Sequence, residues 1–210
     1  ITPDNIKAVA TDGHRLAINS VPAVNSGSSN GGVIQAIIPR KAVLQLTKIL
    51  HANDGEVNIS VGNNFLRAIC DEYVFTTRLV DGRYPEYNRV IPKNTTKEIL
   101  VITDEFKRAL QRSAILSNEK FSGVKLEFRR NSLKILANNP EHEAAEEELA
   151  IDYEGENLNI GFNVNYLVEN INIFKKENIK LLLSNENSPM VIEEVGTEHD
   201  STFVIMPLRL

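Results

Sequence analysis

The chain has 210 residues, of which 42% are hydrophobic and 24% charged, an ordinary globular composition that excludes wholesale disorder. Its longest apolar run, residues 203–208, is too short for a transmembrane helix, and its single cysteine, Cys70, excludes an internal disulfide. The net charge of −5 excludes tight binding of a polyanion by the surface as a whole, so such binding would require a local basic face.

Three consecutive segments predict the same order of elements: a strand, a helix, a strand, an asparagine-containing turn and two more strands. In the first segment the predicted helix is 39–50, and the strands are 33–38, 57–61, 65–70 and 73–79. In the second the helix runs from about 104 to 116, and the strands are 98–102, 124–128, 133–137 and 145–153. In the third the helix is 164–176, and the strands are 158–162, 179–183, 190–193 and 203–206. Residues 6–10 and 15–21 predict the closing hairpin of a truncated fourth copy.

The helix starts carry their own signals. Pro39 is tolerated in the first turn of the first helix, and Asn163 is a good cap for the third. For the second helix, Asp104 or Thr103 is the expected cap.

A repeat of about 60 residues is longer than the common solenoid repeats and suggests pseudo-symmetric domains. Its βαβββ order predicts an α+β fold with helices on one side of antiparallel sheets. The segment 89–97 is polar and contains proline, as linkers do. We therefore predict one domain over residues 1–92 and a second over residues 93–210.

Each predicted helix has one apolar face and one polar face that is mostly basic or amide-bearing. For any single helix, a solvated surface explains such a face. Recurrence on three helices of an acidic chain favours a shared basic surface, while acidic residues concentrate in the segment 141–148.

The turn at Asp12, His14 and Arg15 leaves three interpretations open: a catalytic pair, a structural turn, or the rim of a binding site. No serine nucleophile motif accompanies it, and His142 and His199 lack a second ligand at metal spacing. No glycine-rich phosphate loop is present. We therefore predict no catalytic residues, no metal and no cofactor.

The C-terminal segment is apolar at consecutive positions, whereas a half-buried strand alternates. Residues 203–206 are Phe-Val-Ile-Met, and Leu208 and Leu210 follow Pro207. Two explanations remain: a core strand buried on both faces, or a surface groove for short hydrophobic peptides.

Five segments, in order along the whole chain, resemble the bacterial sliding clamp, the beta subunit of DNA polymerase III. They are Thr-Asp-Gly-His-Arg-Leu at 11–16, Leu-Val-Asp-Gly-Arg-Tyr-Pro at 79–85, Ile-Leu-Ser-Asn-Glu-Lys-Phe at 115–121, Ala-Asn-Asn-Pro-Glu at 137–141 and Val-Ile-Met-Pro-Leu-Arg-Leu at 204–210. The resemblance implies a DNA-clamp fold, with two subunits of three similar domains each forming a ring around double-stranded DNA. This chain would hold the later half of the middle domain and the whole last domain, so we expect a fragment that is monomeric by itself.

The resemblance also implies a pocket that binds short motifs of DNA polymerase, the clamp loader and repair proteins. Its expected lining is Thr11, Gly13, His14, Arg15, Leu16, Pro85, Arg89, Val90, Phe121, Asn163, Tyr166, Val204, Ile205, Met206, Pro207, Leu208, Arg209 and Leu210. Asn187 and Pro189 depart from the residues expected on its rim.

Two further surfaces follow from the resemblance. The residues expected to face DNA are Arg40, Lys41, Lys48, Lys107, Arg108, Arg112, Lys175 and Lys176. The residues expected at the subunit interface are Ile115, Leu116, Glu141, Glu143, Glu146 and Glu147.

These expectations describe a non-catalytic, cytoplasmic processivity factor that has no membrane partner; the sequence shows no leader, and its single cysteine fits a reducing compartment. Two alternatives remain open: a repeat-built peptide-binding scaffold that does not act on DNA, and a hydrolase centred on Asp12 and His14.

Overall fold

The computed structural model describes residues 1–22, 33–52, 55–118, 122–196 and 201–209. These residues fold into two compact units: unit 1 comprises the described residues of Ile1–Ile6 and Ala23–Glu86, and unit 2 those of Lys7–Pro22 and Tyr87–Leu210. Within the described residues there are three α-helices and three antiparallel sheets, which confirms the predicted α+β class.

From α1 onward, the strands and α-helices follow one another in the order predicted for the repeat. They are β1 (Asn5–Thr11), β2 (Arg15–Pro22), α1 (Arg40–His51), β3 (Val57–Val61), β4 (Phe65–Cys70), β5 (Tyr73–Arg78), a 3-10 helix (Tyr87–Arg89), β6 (Lys97–Ile102), α2 (Thr103–Ile115), β7 (Gly123–Arg129), β8 (Ser132–Asn138), β9 (Ala144–Ala150), β10 (Leu158–Asn163), α3 (Val164–Ile171), β11 (Asn178–Leu183), β12 (Met190–Glu194) and β13 (Ser201–Ile205). The second and third copies of the βαβββ repeat are complete.

Unit 1 contains α1 and a three-stranded sheet in the order β3-β4-β5. Alternate residues of β4, Leu66, Ala68 and Cys70, are buried on one face, and Ala42 of α1 is buried too. Cys70 is thus a small residue of this core.

The prediction of a strand at 33–38 is wrong. Isolated backbone hydrogen bonds join this segment to the rest of unit 1. The Ile34 N–H donates to the Ile1 carbonyl, and the Ile1 amino group donates to the Ile34 carbonyl. The Val80 N–H donates to the Ile37 carbonyl. The strand was predicted from apolar composition alone, whereas a β-strand also requires hydrogen bonds to a neighbouring strand in register.

Unit 2 contains a six-stranded sheet in the order β1-β2-β13-β12-β11-β6 and a four-stranded sheet in the order β10-β7-β8-β9. The first strand of each complete repeat joins the sheet of the other repeat. β6 pairs with β11, and β10 pairs with β7, both antiparallel. The two repeats of unit 2 are therefore interlocked through their sheets.

The core of unit 2 lies between the two sheets and the two helices, which contact each other. α2 contributes Phe106 and Leu110, and α3 contributes Leu167 and Ile171, all fully buried. The spacing of these residues at three or four positions is the helical periodicity that predicted both helices.

The helix caps differ from one another. Asn163 caps α3 as predicted, because its Oδ1 accepts the N–H groups of Asn165 at 2.9 Å and Tyr166 at 3.3 Å. The predicted cap of α2 is wrong, since the cap residue is Ile102, without a side-chain bond. The Thr103 N–H instead donates to the carbonyl of Glu177 at 2.8 Å. Pro39 is the cap residue of α1 rather than its first helical residue.

The prediction that the third helix continues to residue 176 is also wrong, because α3 ends at Ile171. The chain then tightens: the Ile173 and Phe174 N–H groups donate three residues back, to Asn170 and Ile171. This turn brings Phe174 edge-on to Phe203, with 5.2 Å between ring centroids.

Candidate functional site

The pairing of β2 with β13 brings the predicted turn and the C-terminal segment together. Val204 lies opposite Leu16, and Ile205 lies opposite Arg15. Since side chains alternate along a strand, neighbouring residues of β13 face opposite sides of the sheet. Val204 packs with Leu16 in a small apolar cluster, whereas Ile205 is completely buried in the main core. Residues 203–205 are buried on both faces of β13, as the explanation of a core strand predicts, and Ile205 is completely buried. The surface groove for hydrophobic peptides stays a prediction.

We call the small cluster the apolar floor. It consists of Leu16, Ile18, Val191 and Val204, of which Leu16 is 3% and Val204 1% exposed. Partly buried residues surround it: Val9, Tyr87, Val90, Ile91 and Leu182. Of these residues, the sequence predictions included only Leu16, Val90 and Val204. The alternation of β2 could have predicted Ile18 from the sequence. Val191 could not be predicted, because its place in the cluster depends on the register of β12 with β13.

The turn between β1 and β2 is built by hydrogen bonds of Thr11 and Asp12. The Thr11 hydroxyl donates to the Arg15 carbonyl at 2.7 Å and accepts the Gly13 N–H at 3.1 Å. Asp12 Oδ1 accepts the N–H groups of His14 and Arg15, both at 3.0 Å. Gly13 has a φ of +88°, a conformation that favours glycine. The turn is therefore rigidly specified by its sequence.

The geometry of this turn does not form a catalytic pair. The Asp12 carboxylate is occupied by two backbone N–H groups and the Arg15 side chain, while the His14 ring stacks on Tyr166 at 6.1 Å between centroids. A general base that activates a nucleophile would need a partner to orient it. In the part of the chain that the structure describes, no cluster of three or more histidine, cysteine or acidic residues could hold a metal ion.

The residues after β13 join both sheets of unit 2. The Met206 N–H donates to the His14 carbonyl at 2.9 Å, and the Leu208 N–H donates to the Gly161 carbonyl of β10 at 2.8 Å. Beside this segment lies a groove of about 760 Å³. Its lining is Lys125, Asn159, Ile160, Gly161, Glu186, Asn187, Pro207, Leu208 and Arg209. Asn187, which differs from the residue that the resemblance leads one to expect on the pocket rim, therefore lines the same groove as the C-terminal segment.

The remaining residues of the predicted pocket are distributed as follows. Arg89 ends the 3-10 helix and is followed by Val90 at the apolar floor. Pro85 belongs to unit 1, whereas the rest of the described pocket residues belong to unit 2. Phe121 and Leu210 lie outside the described residues.

The predicted DNA-facing residues lie on three separate segments. Arg40, Lys41 and Lys48 are exposed on α1 in unit 1. On α2, Arg108 is exposed and Lys107 half-buried. Lys175 and Lys176 are exposed but do not lie on α3, because the helix ends earlier. Their backbone N–H groups both donate to Glu194 Oε1 at 2.9 Å, so β12 holds this loop.

Arg112 and Glu147 were predicted on different surfaces, yet they pair with each other. Arg112 Nε and Nη2 donate to the two carboxylate oxygens of Glu147, each at 2.6 Å. This two-pronged pair joins α2 to β9 and raises the pKa of Arg112 while it lowers that of Glu147. Arg112 is therefore a weaker candidate for a phosphate contact than its sequence position predicts.

The predicted interface residues gather around β9, an edge strand of the four-stranded sheet. Glu146 accepts a bond from Lys134 at 2.6 Å, across the strand pair with β8. Glu141 and Glu143 lie in the turn before β9. Ile115, the last residue of α2, is 78% exposed, and Leu116 is half-buried.

The fold of unit 2, with its repeated βαβββ units and interlocked antiparallel sheets, defines the class as a DNA-clamp fold. The chain matches the family models for the DNA polymerase III beta subunit, with the central domain over residues 1–86 and the C-terminal domain over residues 88–209. It is 43% identical over 210 residues to the beta sliding clamp of Pseudomonas putida, covering 100% of this chain and 56% of that protein.

Solved structures agree with these relationships. The DNA polymerase III subunit beta from Pseudomonas aeruginosa has a TM-score of 0.94 with 42% identity, covering 100% of this chain and 56% of that one. A Pseudomonas aeruginosa sliding clamp bound to griselimycin has a TM-score of 0.93 with the same identity and coverage. The chain belongs to the family of bacterial DNA polymerase III beta sliding clamps and spans about half the length of these relatives. None of the described helices is long and apolar enough to cross a membrane.

Proposed function

We propose that this chain is part of a cytoplasmic processivity clamp that encircles duplex DNA and tethers DNA polymerase and other replication and repair proteins. Membership of the sliding clamp family supports this function. In this proposal, residues 1–92 are the later half of the middle domain and residues 93–210 the last domain. The family models, which meet between residues 86 and 88, support a division close to that position.

The observation that carries the proposal is the buried apolar floor beside the C-terminal segment. Leu16 and Val204 belong to this floor, and Met206 continues from β13 beside the turn that carries His14, whose ring stacks on Tyr166. A short peptide with aliphatic or aromatic anchors would bury the exposed parts of the apolar side chains that surround the floor, such as Tyr87, Val90 and Ile91. Such peptides bind at about micromolar strength, which lets partners exchange on the clamp. The griselimycin-bound relative supports a ligand site on this kind of protein.

The DNA-facing surface of the proposal rests on the helices. Exposed cations of α1 and α2 would contact phosphates, which carry no sequence information, so the clamp could slide. A closed ring holds DNA by topology, and an acidic chain then needs no tight affinity for a polyanion. Arg40, Lys41, Lys48, Lys107, Arg108, Lys175 and Lys176 remain the candidates.

The subunit contact of the proposal uses β9 and the end of α2. An exposed edge strand offers unpaired backbone groups to a second subunit, and Ile115 offers an apolar side chain. Leu116, Glu141, Glu143, Glu146 and Glu147 complete the proposed contact. The 210 residues by themselves would offer one half of this contact, so we expect them to be a monomer by light scattering. A stable closed dimer of this chain retained on circular DNA would contradict that expectation.

A peptide titration tests the pocket. A fluorescein-labelled peptide with leucine and phenylalanine anchors should bind the chain saturably, at about micromolar strength. Met206→Ala combined with deletion of Leu210 should abolish the binding, because both residues belong to the proposed pocket. Glu105→Ala, at an exposed position of α2, is the control that should bind normally. Failure of the wild-type chain to bind the peptide would contradict the proposed pocket.

Loading of the longer parent protein onto primed circular DNA tests the clamp itself. A parent that binds peptides but never loads would favour the alternative of a peptide-binding scaffold that does not act on DNA.

A further inference from the structure

The Arg15 guanidinium is held by side chains from two different parts of unit 2. Its Nε donates to Asp12 Oδ2 in the β1–β2 turn at 3.0 Å, and its Nη1 donates to Glu169 Oε2 on α3 at 2.6 Å. Its Cζ lies 4.6 Å from the centroid of the Tyr166 ring, also on α3. A single side chain therefore links the turn to the helix.

Tyr166 and Glu169 are three residues apart on α3 and project from the same side of the helix. Tyr166 also carries the stacked His14 ring, with 24° between the two ring planes. Asp12, His14, Arg15, Tyr166 and Glu169 thus form one continuous set of contacts, which we call the Arg15 bridge. It adjoins the start of the C-terminal segment, because the Met206 N–H donates to the His14 carbonyl at 2.9 Å.

The charges of the Arg15 bridge are compensated within it. Partial burial alone would lower the pKa of Arg15, but its hydrogen bonds to Glu169 and Asp12 outweigh burial and raise that pKa. The guanidinium stays charged, and two carboxylates already balance its charge. A planar guanidinium held over an aromatic ring presents its face and its aliphatic stem as packing surface.

We propose that Glu169 is a positioning residue for the peptide pocket: it holds the Arg15 guanidinium on the Tyr166 ring and so fixes the wall against which a peptide side chain packs. This inference rests on the proposed function, because it assumes a peptide in the pocket. It also defines the chemistry of the partner at this wall. The side chain that packs there is uncharged and apolar, since Arg15 offers no uncompensated cation to an acidic group.

The first measurement is the affinity of the 210-residue chain for the fluorescein-labelled leucine–phenylalanine peptide, by fluorescence anisotropy. Glu169→Gln keeps the size of the side chain and removes its charge, so we expect the dissociation constant to rise about fivefold. Glu169→Asp keeps the charge with a shorter reach and should give a smaller rise. Glu177→Gln, at an exposed position beyond α3, is the matched control and should leave the affinity unchanged.

The second measurement is the Arg15 Nη1–H resonance in NMR spectra, because Nη1 is the atom that donates to Glu169 and a loss of overall stability alone would leave this resonance in place. In Glu169→Gln we expect this proton to exchange faster with water while the urea midpoint of unfolding stays unchanged. If the midpoint falls as well, Glu169→Asp decides: recovery of both affinity and the Arg15 resonance supports positioning, and recovery of stability alone overturns it.

The outcomes separate this inference from the proposed function. Saturable binding by the wild-type chain with unchanged affinity in Glu169→Gln overturns the inference alone. Reduced affinity with an unchanged Arg15 resonance also overturns it, because Glu169 would then contact the peptide directly. A peptide in which glutamate replaces an apolar anchor should bind more weakly, and tighter binding would refute the compensated charge. Absence of any binding by the wild-type chain overturns the proposed function and this inference with it.

Discussion

Asp12 organises the turn between β1 and β2 with a single carboxylate. Burial alone would raise its pKa, but bonds from the His14 and Arg15 N–H groups and from the Arg15 side chain hold the pKa below its usual 3.8. Three other carboxyl groups are also held at lowered pKa by hydrogen bonds that they accept: Glu127, Glu147 and Glu148. All four favour the charged form in the folded chain.

These carboxyl groups predict how stability depends on pH. A pKa that is lower in the folded state means that the unfolded chain binds protons first. Their contribution to the free energy of unfolding is therefore present above the unfolded-state values of about 4, and it is lost as the pH falls through the lower folded-state values. Urea midpoints should be nearly flat from about pH 7 to about pH 5 and decline below that range.

A variant tests which groups cause the acid decline. Glu147→Gln removes one of the four titrations, so its decline should be shallower than that of the wild-type chain. Glu154→Gln is a suitable control, because Glu154 pairs with Arg130 at 3.0 Å but is largely exposed. An identical decline in Glu147→Gln and the wild-type chain would contradict the assignment.

Arg108 and Arg112 lie on the same helix, yet the structure gives them different expected effects on DNA binding. Arg112 is paired with Glu147 through two hydrogen bonds, whereas Arg108 has no acidic partner among the described residues. In the proposed clamp, Arg108→Ala should lower the salt dependence of affinity for a short duplex by about one unit of slope. Arg112→Ala should change it less. Equal changes, measured by anisotropy over a salt series, would show that the Arg112–Glu147 pair opens on DNA.

At the scale of elements, α2 has one face in the core and an exposed end. Two variants measure how much each of these contributes to the free energy of unfolding. Leu110 is fully buried, so Leu110→Ala should lower the free energy of unfolding by about 2–5 kcal/mol. Ile115→Ala, at a highly exposed position, should change it by less than about 0.5 kcal/mol. Urea denaturation measures both. A large loss in Ile115→Ala would mean that the end of α2 packs within the folded chain.

Most elements were predictable because their patterns are local. Apolar positions three or four apart predicted α2, and alternation predicted β7 and β8. The end of α3 was not predictable in this way, because it depends on distant partners. Phe174 turns toward Phe203, and Glu194 binds the backbone of the loop that follows the helix.

The parts of the candidate site that lie within a single sequence segment were predictable, whereas contacts between segments were not. The turn at Thr11–Leu16 and the segment after Phe203 stand out in the sequence, and Asn163 is a recognisable cap. The different fates of Val204 and Ile205 follow from the face of β13, which only the pairing with β2 fixes. Glu169 reads as an ordinary polar helix position until Arg15 is placed beside it.

At the scale of the whole molecule, the two units differ in how much apolar surface they bury. The buried hydrophobic residues described in unit 1 are few, among them Leu66 and Ala68, whereas unit 2 has a large core. We expect amide hydrogen exchange to be faster for residues 57–78 than for residues 97–138 and 158–194. Leu66→Ala should accelerate only the first range, and Leu110→Ala only the second. Uniform protection across both ranges would contradict this difference.

The interlocked sheets of unit 2 make its two repeats a single cooperative structure. β6 completes the sheet of the third repeat and β10 that of the second, so neither repeat has a complete sheet without the other. A chain cut between β9 and β10 should therefore leave two halves that fold only when mixed. Circular dichroism of each half alone and of the mixture measures this.

Val204 and Leu16 are buried in the apolar floor beneath the proposed pocket, and their burial bears on drug resistance. For an inhibitor seated in the proposed pocket, substitutions at these two positions could act only by disturbing a buried cluster, because Leu16 is 3% and Val204 1% exposed. Escape through the floor would therefore carry a cost in folding. Substitutions that evade an inhibitor are tolerated more easily at exposed positions such as His14 and Arg209, so an inhibitor that depends little on exposed side chains should be harder to evade.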